Sequence, residues 1–214
     1  MIIDEALLKD MLSEAWAGEN DPSHDLGHVE RVVNLAELIG GKEGGDLSVI
    51  VPAAWLHDCI NLPKNHKDRK LASRKSADYA TEKLSAHIND ESKLQAIHHA
   101  IAAHSFSAGI TPDTLEARIV QDADRLDSLG AIGIARTFSV SGALGRPLFD
   151  YLDPLAERRS ADDGSFGLDH FFTKLFKLPG LMNTSTAKSI AENRVTFMRH
   201  FVEELKAEIC PADR

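Results

Sequence analysis

One segment limits the architectures open to this chain more than any other. From Val49 through Ile50, Val51, Pro52, Ala53, Ala54, Trp55 and Leu56 every side chain is apolar, and the run ends in His57-Asp58-Cys59. As a helix started by Asp46 it is apolar nearly all round, which places it at the centre of the fold with other elements covering each side. Pro52 either kinks this helix or marks its first turn. An aspartate carried into such surroundings costs several kcal/mol, by rough reckoning, unless a cation or strong donors meet it. The rest of the chain must therefore satisfy Asp58.

The other apolar positions repeat at helical spacing. Leu7, Leu8, Met11, Leu12 and Trp16 predict a short amphipathic helix over 4–17. Val29, Val32, Val33, Ala36 and Ile39 predict a second, capped by Ser23 or Asp25 and stopped at Gly40-Gly41. A helix over 69–86 is weakly patterned by Leu71, Ala77, Ala80 and Leu84. Leu94, Ile97 and Ile101 mark the next, where His98 shares a face with Leu94 and Ile101 and so reads as core. Thr111-Pro112 reads as N-cap and first residue of a helix through Leu115, Ile119, Ala123 and Leu126. Pro179-Gly180 halts a helix marked by Leu168, Phe171, Phe172 and Leu175, and Ala187 to Ile209 holds the period over about six turns. No strand alternation competes, so the expected fold is all-α: a single-domain helical bundle with a C-terminal helical extension. Residues 141–167, rich in Gly, Pro, Asp and Arg, form the one long aperiodic stretch.

Composition excludes several functions. A net charge of −9 argues against a duplex nucleic-acid binder, so a small anionic substrate would need a metal or a local cationic cluster. No window approaches a membrane span and the first residues lack the basic start of a signal peptide, which points to the cytoplasm. Cys59 and Cys210 form no CxxC pattern.

Ligand-type side chains recur on three predicted helices: His28, then His57-Asp58, then Asp124 within Gln121-Asp122-Ala123-Asp124-Arg125-Leu126-Asp127. This H…HD…D order resembles the HD superfamily of metal-dependent phosphohydrolases, which are all-α. Further blocks are similar to its small single-domain bacterial members: Ser23-His24-Asp25-Leu26-Gly27-His28, Pro63-Lys64-Asn65-His66, His99-Ala100-Ile101-Ala102-Ala103-His104 and Leu168-Asp169-His170-Phe171. The resemblance implies an HD core of about 23–130, with 131–214 as a helical extension that includes a candidate lid loop, 143–165. It also implies that His28, His57, Asp58 and Asp124 are metal ligands. Independently, two imidazoles and two carboxylates suit divalent Mn, Fe, Ni, Co, Zn or Mg. Such an ion would polarise a phosphoryl group and lower the pKa of a bound water.

In dinuclear relatives, histidines between the HD pair and the last aspartate hold a second metal, which makes His99 and His104 candidates for it. Phosphate binding by His99 and proton transfer by His104 are the other roles open to them. Five residues apart on a helix, the two lie about 140° apart, so both reach one site only if the helix ends near His104. Lys64 heads a cationic segment with Lys67, Arg69, Lys70, Arg74 and Lys75 and is the expected phosphate contact. Arg31 either contacts phosphate or pairs with an acid such as Asp127. Asp127 either orients water or a ligand histidine or forms a structural ion pair. Arg146, Arg158 and Arg159 are candidate contacts from the lid loop. The expected activity is hydrolysis of a small phosphate ester or a nucleotide, with Asp58, Lys64, His104 and Asp127 as the catalytic candidates. The competing reading is a nucleotide-binding regulatory module that keeps the metal site without turnover.

Overall fold

The computed structural model describes residues 3–17, 25–62, 68–105 and 108–209, and among these it is all-α. They group into two compact units, Met1–Asp124 and Arg125–Arg214.

In the first unit, α1 (Glu5–Ala15), α2 (Leu26–Glu43), α4 (Ala72–Leu84) and α5 (Glu91–His104) all pack on α3 (Leu47–Leu56), the central apolar helix. Every residue of α3 from Val49 to Leu56 is buried, as its lack of a polar face requires. Asp46 caps it by accepting the backbone N–H of Ser48 at 2.8 Å, so Pro52 lies inside the helix and not in its first turn. Asp25 is the cap of α2, accepting the N–H of His28 at 2.8 Å. That helix runs past Gly40-Gly41 and closes at Gly44, whose φ is +80°. A short 3-10 turn, Arg69–Leu71, leads into α4.

The start of α6 (Leu115–Asp127) differs from the expectation at Thr111-Pro112. Thr114 serves as the cap, its Oγ1 accepting the N–H of Ala117 at 3.1 Å, because the N–H of Asp113 is already bound to His99. His98 is not core. It is 40% exposed and meets Asp78 across α4 and α5 at 2.9 Å, because Leu94, Ile97 and Ile101 fill the buried face beside it.

The second unit begins with the last residues of α6 and contains α7 (Gly130–Ala143), α8 (Asp169–Thr173), a 3-10 segment (Leu175–Leu181) and α9 (Ser185–Ile209). α9 packs against α7 and the 3-10 segment. That segment continues through Pro179-Gly180, where a halt was expected. Phe138, Phe171 and Phe201 form an aromatic cluster with ring centroids 5.9 to 6.2 Å apart. A β-carbon at Gly133 would lie 2.1 Å from Ser128 O, so only glycine allows this turn into α7.

Residues 144–168 are aperiodic as expected, yet internally braced. Asp169, fully buried, accepts two bonds from the Arg159 guanidinium and one from the N–H of Asp162. Asp153 accepts the N–H groups of Glu157 and Arg158 at 3.0 and 2.8 Å. Arg146 binds Asp163 O and Arg158 binds Leu152 O, so all three loop arginines have partners within their own segment. No helix of the described residues is long and apolar enough to cross a membrane.

Candidate metal centre

His57 caps the C-terminal end of α3, and its Nδ1 lies 2.7 Å from Ala54 O. A carbonyl only accepts, so Nδ1 carries the proton and Nε2 presents a lone pair. Burial pushes the His57 pKa down to about 4, against a pull upward from Asp58. The ring is therefore a neutral donor, the form a metal ligand needs.

His28 sits in the first turn of α2, one residue past Gly27. His28 Nε2 lies 3.3 Å from His57 Nε2, 3.9 Å from Asp58 Oδ2 and 3.6 Å from Asp124 Oδ1. His57 Nε2 lies 3.6 Å from Asp58 Oδ2 and 4.0 Å from Asp124 Oδ1. Donor atoms of His28, His57 and Asp58 all fall within 4.8 Å of one another. Around an ion with bonds of about 2.1 Å, neighbouring donors stand about 3.0 Å apart, so these separations need only a small inward closure. Two carboxylates and the bare lone pair of His57 converge here, with side-chain exposures of 0% for His57 and 14% for Asp58. A divalent cation fits this donor set.

The backbone beside the pair is secured from two helices. Trp16 Nε1 donates to Asp58 O at 3.3 Å, and Ser76 Oγ accepts the N–H of Ile60 at 3.0 Å. Between them Cys59 is buried, its thiol donating to Ser76 O at 3.6 Å, and burial pushes its pKa up to about 12.

His104, the last residue of α5, has its Nδ1 2.7 Å from Ile101 O, so again Nδ1 donates and Nε2 faces outward. That Nε2 lies 3.3 Å from Asp58 Oδ1, and the ring stands edge-on to His57 with centroids 4.9 Å apart. Burial pushes the His104 pKa down, but the bond to Asp58 and the charges of Asp58 and Asp124 outweigh it and lift the value to about 9. In the metal-free protein His104 is an imidazolium that donates to Asp58.

These two histidines predict a pH signature of the metal-free chain. His57 stays neutral in the fold down to about 4, against 6.5 ordinarily, so stability falls as pH drops from about 6.5 toward 4. His104 keeps its proton up to about 9, so its contribution is complete below about 6.5 and is lost as pH rises through 9. Thermal denaturation in chelator is expected to peak near pH 6.5, and His104→Gln to flatten the alkaline limb. A wild-type chain that gains stability from pH 7 to 9 contradicts this assignment.

The remaining candidates are placed as follows. His99 Nε2 accepts the N–H of Asp113 at 3.0 Å, on a different face of α5 from His104. A β-carbon at Gly27 would lie 3.3 Å from Arg31 Nη1, so the absence of a side chain there leaves room for the guanidinium along the first turn of α2, the turn that carries His28. Asp127, in the second unit, is 1% exposed and paired with Arg136. Lys64 lies outside the described residues, as does His66. Sequence reasoning missed Ser73, Ser76 and Gln121. The serines sit in a weakly patterned helix and carry no signal, whereas Gln121 stands at the head of the block that supplies Asp124.

Comparison with known proteins identifies relatives of the whole fold. The HD domain family model matches residues 25–129. The chain is 36% identical over 197 residues to YpgQ of Bacillus subtilis, covering 89% of this chain and 87% of that one. A crystal structure of YpgQ in complex with ADP superposes with a TM-score of 0.71 at 31% identity, covering 95% of each chain. An HD-superfamily hydrolase from Bacillus thuringiensis superposes with a TM-score of 0.72 at 34% identity, also over 95% of each.

Proposed function

We propose, from the premise that this chain belongs to the HD-domain family, that it is a metal-dependent phosphohydrolase cleaving a small phosphate ester or nucleotide. The convergence of His28, His57, Asp58 and Asp124 on one centre carries the reading. These four residues would hold one divalent ion, Mn, Fe, Ni, Co, Zn or Mg, which supplies a Lewis acid for a phosphoryl oxygen and lowers the pKa of water when bound. The HD core of about 23–130 carries this chemistry, and 131–214 is its helical extension.

The protein's own groups have separable tasks. The Ala54 carbonyl fixes the His57 tautomer, so its Nε2 is always presented as a ligand. His104 holds a proton on Nε2 beside Asp58, where it can pass to a leaving oxygen. Arg31 and Lys64 are assigned to phosphate contact, supplying cationic charge that the net −9 of the chain lacks. The bond from Asp113 to His99 and the pair of Asp127 with Arg136 favour structural roles for His99 and Asp127. The ADP complex of YpgQ supports a nucleotide as the substrate class.

Metal-stripped protein reloaded in turn with each of these ions and assayed against nucleotides, cyclic dinucleotides and sugar phosphates tests the proposal. Release of phosphate or pyrophosphate by at least one loaded form is expected. Tight nucleotide binding by a metal-replete sample that forms no product would replace it with the regulatory module.

A further inference from the structure

α5 ends in buried surroundings, and the bonds to its carbonyls at Ile101, Ala102 and Ala103 are buried. A helix commonly resolves this with a left-handed residue or with water. Here Ser105 follows in extended conformation, φ −78° and ψ 127°, and side chains do the work instead. Ile101 O accepts from His104 Nδ1 at 2.7 Å, Ala102 O from Ser73 Oγ at 3.0 Å and Ala103 O from Gln121 Nε2 at 2.7 Å. Ser73 comes from α4 and Gln121 from α6, and they are 3% and 4% exposed.

The same face of α4 grips a second piece of backbone. Ser76, one turn beyond Ser73 and fully buried, accepts the N–H of Ile60 at 3.0 Å and donates to Ile60 O at 3.2 Å. Its own carbonyl holds the Cys59 thiol. One turn of one helix therefore clamps both backbones whose side chains, Asp58 and His104, meet at 3.3 Å.

We infer that the serine face of α4 sets the register of Asp58 against His104, with Ser76 fixing the Asp58 wall and Ser73, together with Gln121, fixing the His104 wall. All three are positioning residues, an assignment that rests on the metal-hydrolase reading above. An alanine at Ser73 leaves Ala102 O buried without its donor, and the end of α5 then relaxes toward other partners. The walls do different work, so the residues have different signatures. Ser76 acts on a metal ligand, whereas Ser73 and Gln121 act on the residue that handles the proton.

The full-length Ser76→Ala, Ser73→Ala and Gln121→Met variants separate these roles. Manganese affinity is measured by calorimetry, and kcat and KM are measured on whichever nucleotide the wild type turns over, well below each variant's Tm. Ser76→Ala is expected to weaken manganese binding about tenfold. Ser73→Ala and Gln121→Met are expected to leave that affinity within about twofold, and to lower kcat about tenfold at constant KM. A merely structural role lowers Tm and moves none of these quantities in the folded enzyme. Wild-type affinity and kcat in folded variants, or one shared pattern of loss in all three, overturns the inference while the wild-type activity stands. A wild-type chain that neither binds manganese nor turns over any nucleotide overturns the hydrolase reading and this inference together.

Discussion

Asp58→Ala is expected to abolish metal retention and to lower turnover by about a thousandfold or more, because it removes a carboxylate that faces both ligand imidazoles and His104. The effect has a readout that needs no substrate. An ion present at about a thousand times its dissociation constant stabilises a fold by about 4 kcal/mol, so the wild type should gain Tm on adding manganese and the variant should not. His57→Ala should behave in the same way. Loss of Asp58 also removes the first of the groups that hold the His104 proton, leaving only Asp124 and the Ile101 carbonyl to oppose burial, so the alkaline limb of the metal-free stability curve should weaken. An Asp58→Ala protein that keeps a stoichiometric ion, or that shows the wild-type Tm gain, disproves the ligand assignment.

Asp169→Ala is expected to cost about 3–5 kcal/mol, the range found when one partner of a buried ion pair is removed and the other is stranded. The carboxylate is fully buried and accepts from two nitrogens of Arg159 and from the N–H of Asp162, so three donors lose this acceptor at once. The loss falls on residues 144–168, where Arg159 also holds Asp153 O and stacks its guanidinium over Phe166 at 4.6 Å. Limited proteolysis should cut the variant within 150–163 at protease concentrations that leave the wild type intact, and denaturant unfolding should show the reduced midpoint. Equal resistance in both proteins would mean that the brace is redundant.

The legible part of this molecule was what periodicity and ligand chemistry report. Helical spacing placed α1, α2, α5 and α9 to within a few residues, since an amphipathic helix writes its buried face into the order of its side chains. The all-round apolar character of α3 gave its central position. What stayed hidden depends on competition between local partners. Thr114 displaced Thr111 as a cap because His99 claims the N–H of Asp113, a contact between residues whose pairing no local pattern announces. The same contact engages Nε2 of His99. Arg159 looked like a lid cation in a charged loop, but a fully buried aspartate ten residues on makes it a brace. The clamp from Ser73 and Ser76 was invisible, because a serine on a helix has the same letter whether it faces water or holds a carbonyl.

Cys59 stands next to a metal-ligand candidate, and the way its thiol is held bears on which ions the centre can accept. With its pKa pushed up to about 12 and its S–H donated to Ser76 O, it supplies no thiolate at physiological pH. A soft sulfur ligand beside His57 and Asp58 would have drawn copper(I) or locked in zinc, and an ionised thiol beside an oxidisable ion would have been open to oxidation. Burying that proton leaves the candidate donor set of His28, His57 and Asp58 to nitrogen and oxygen alone.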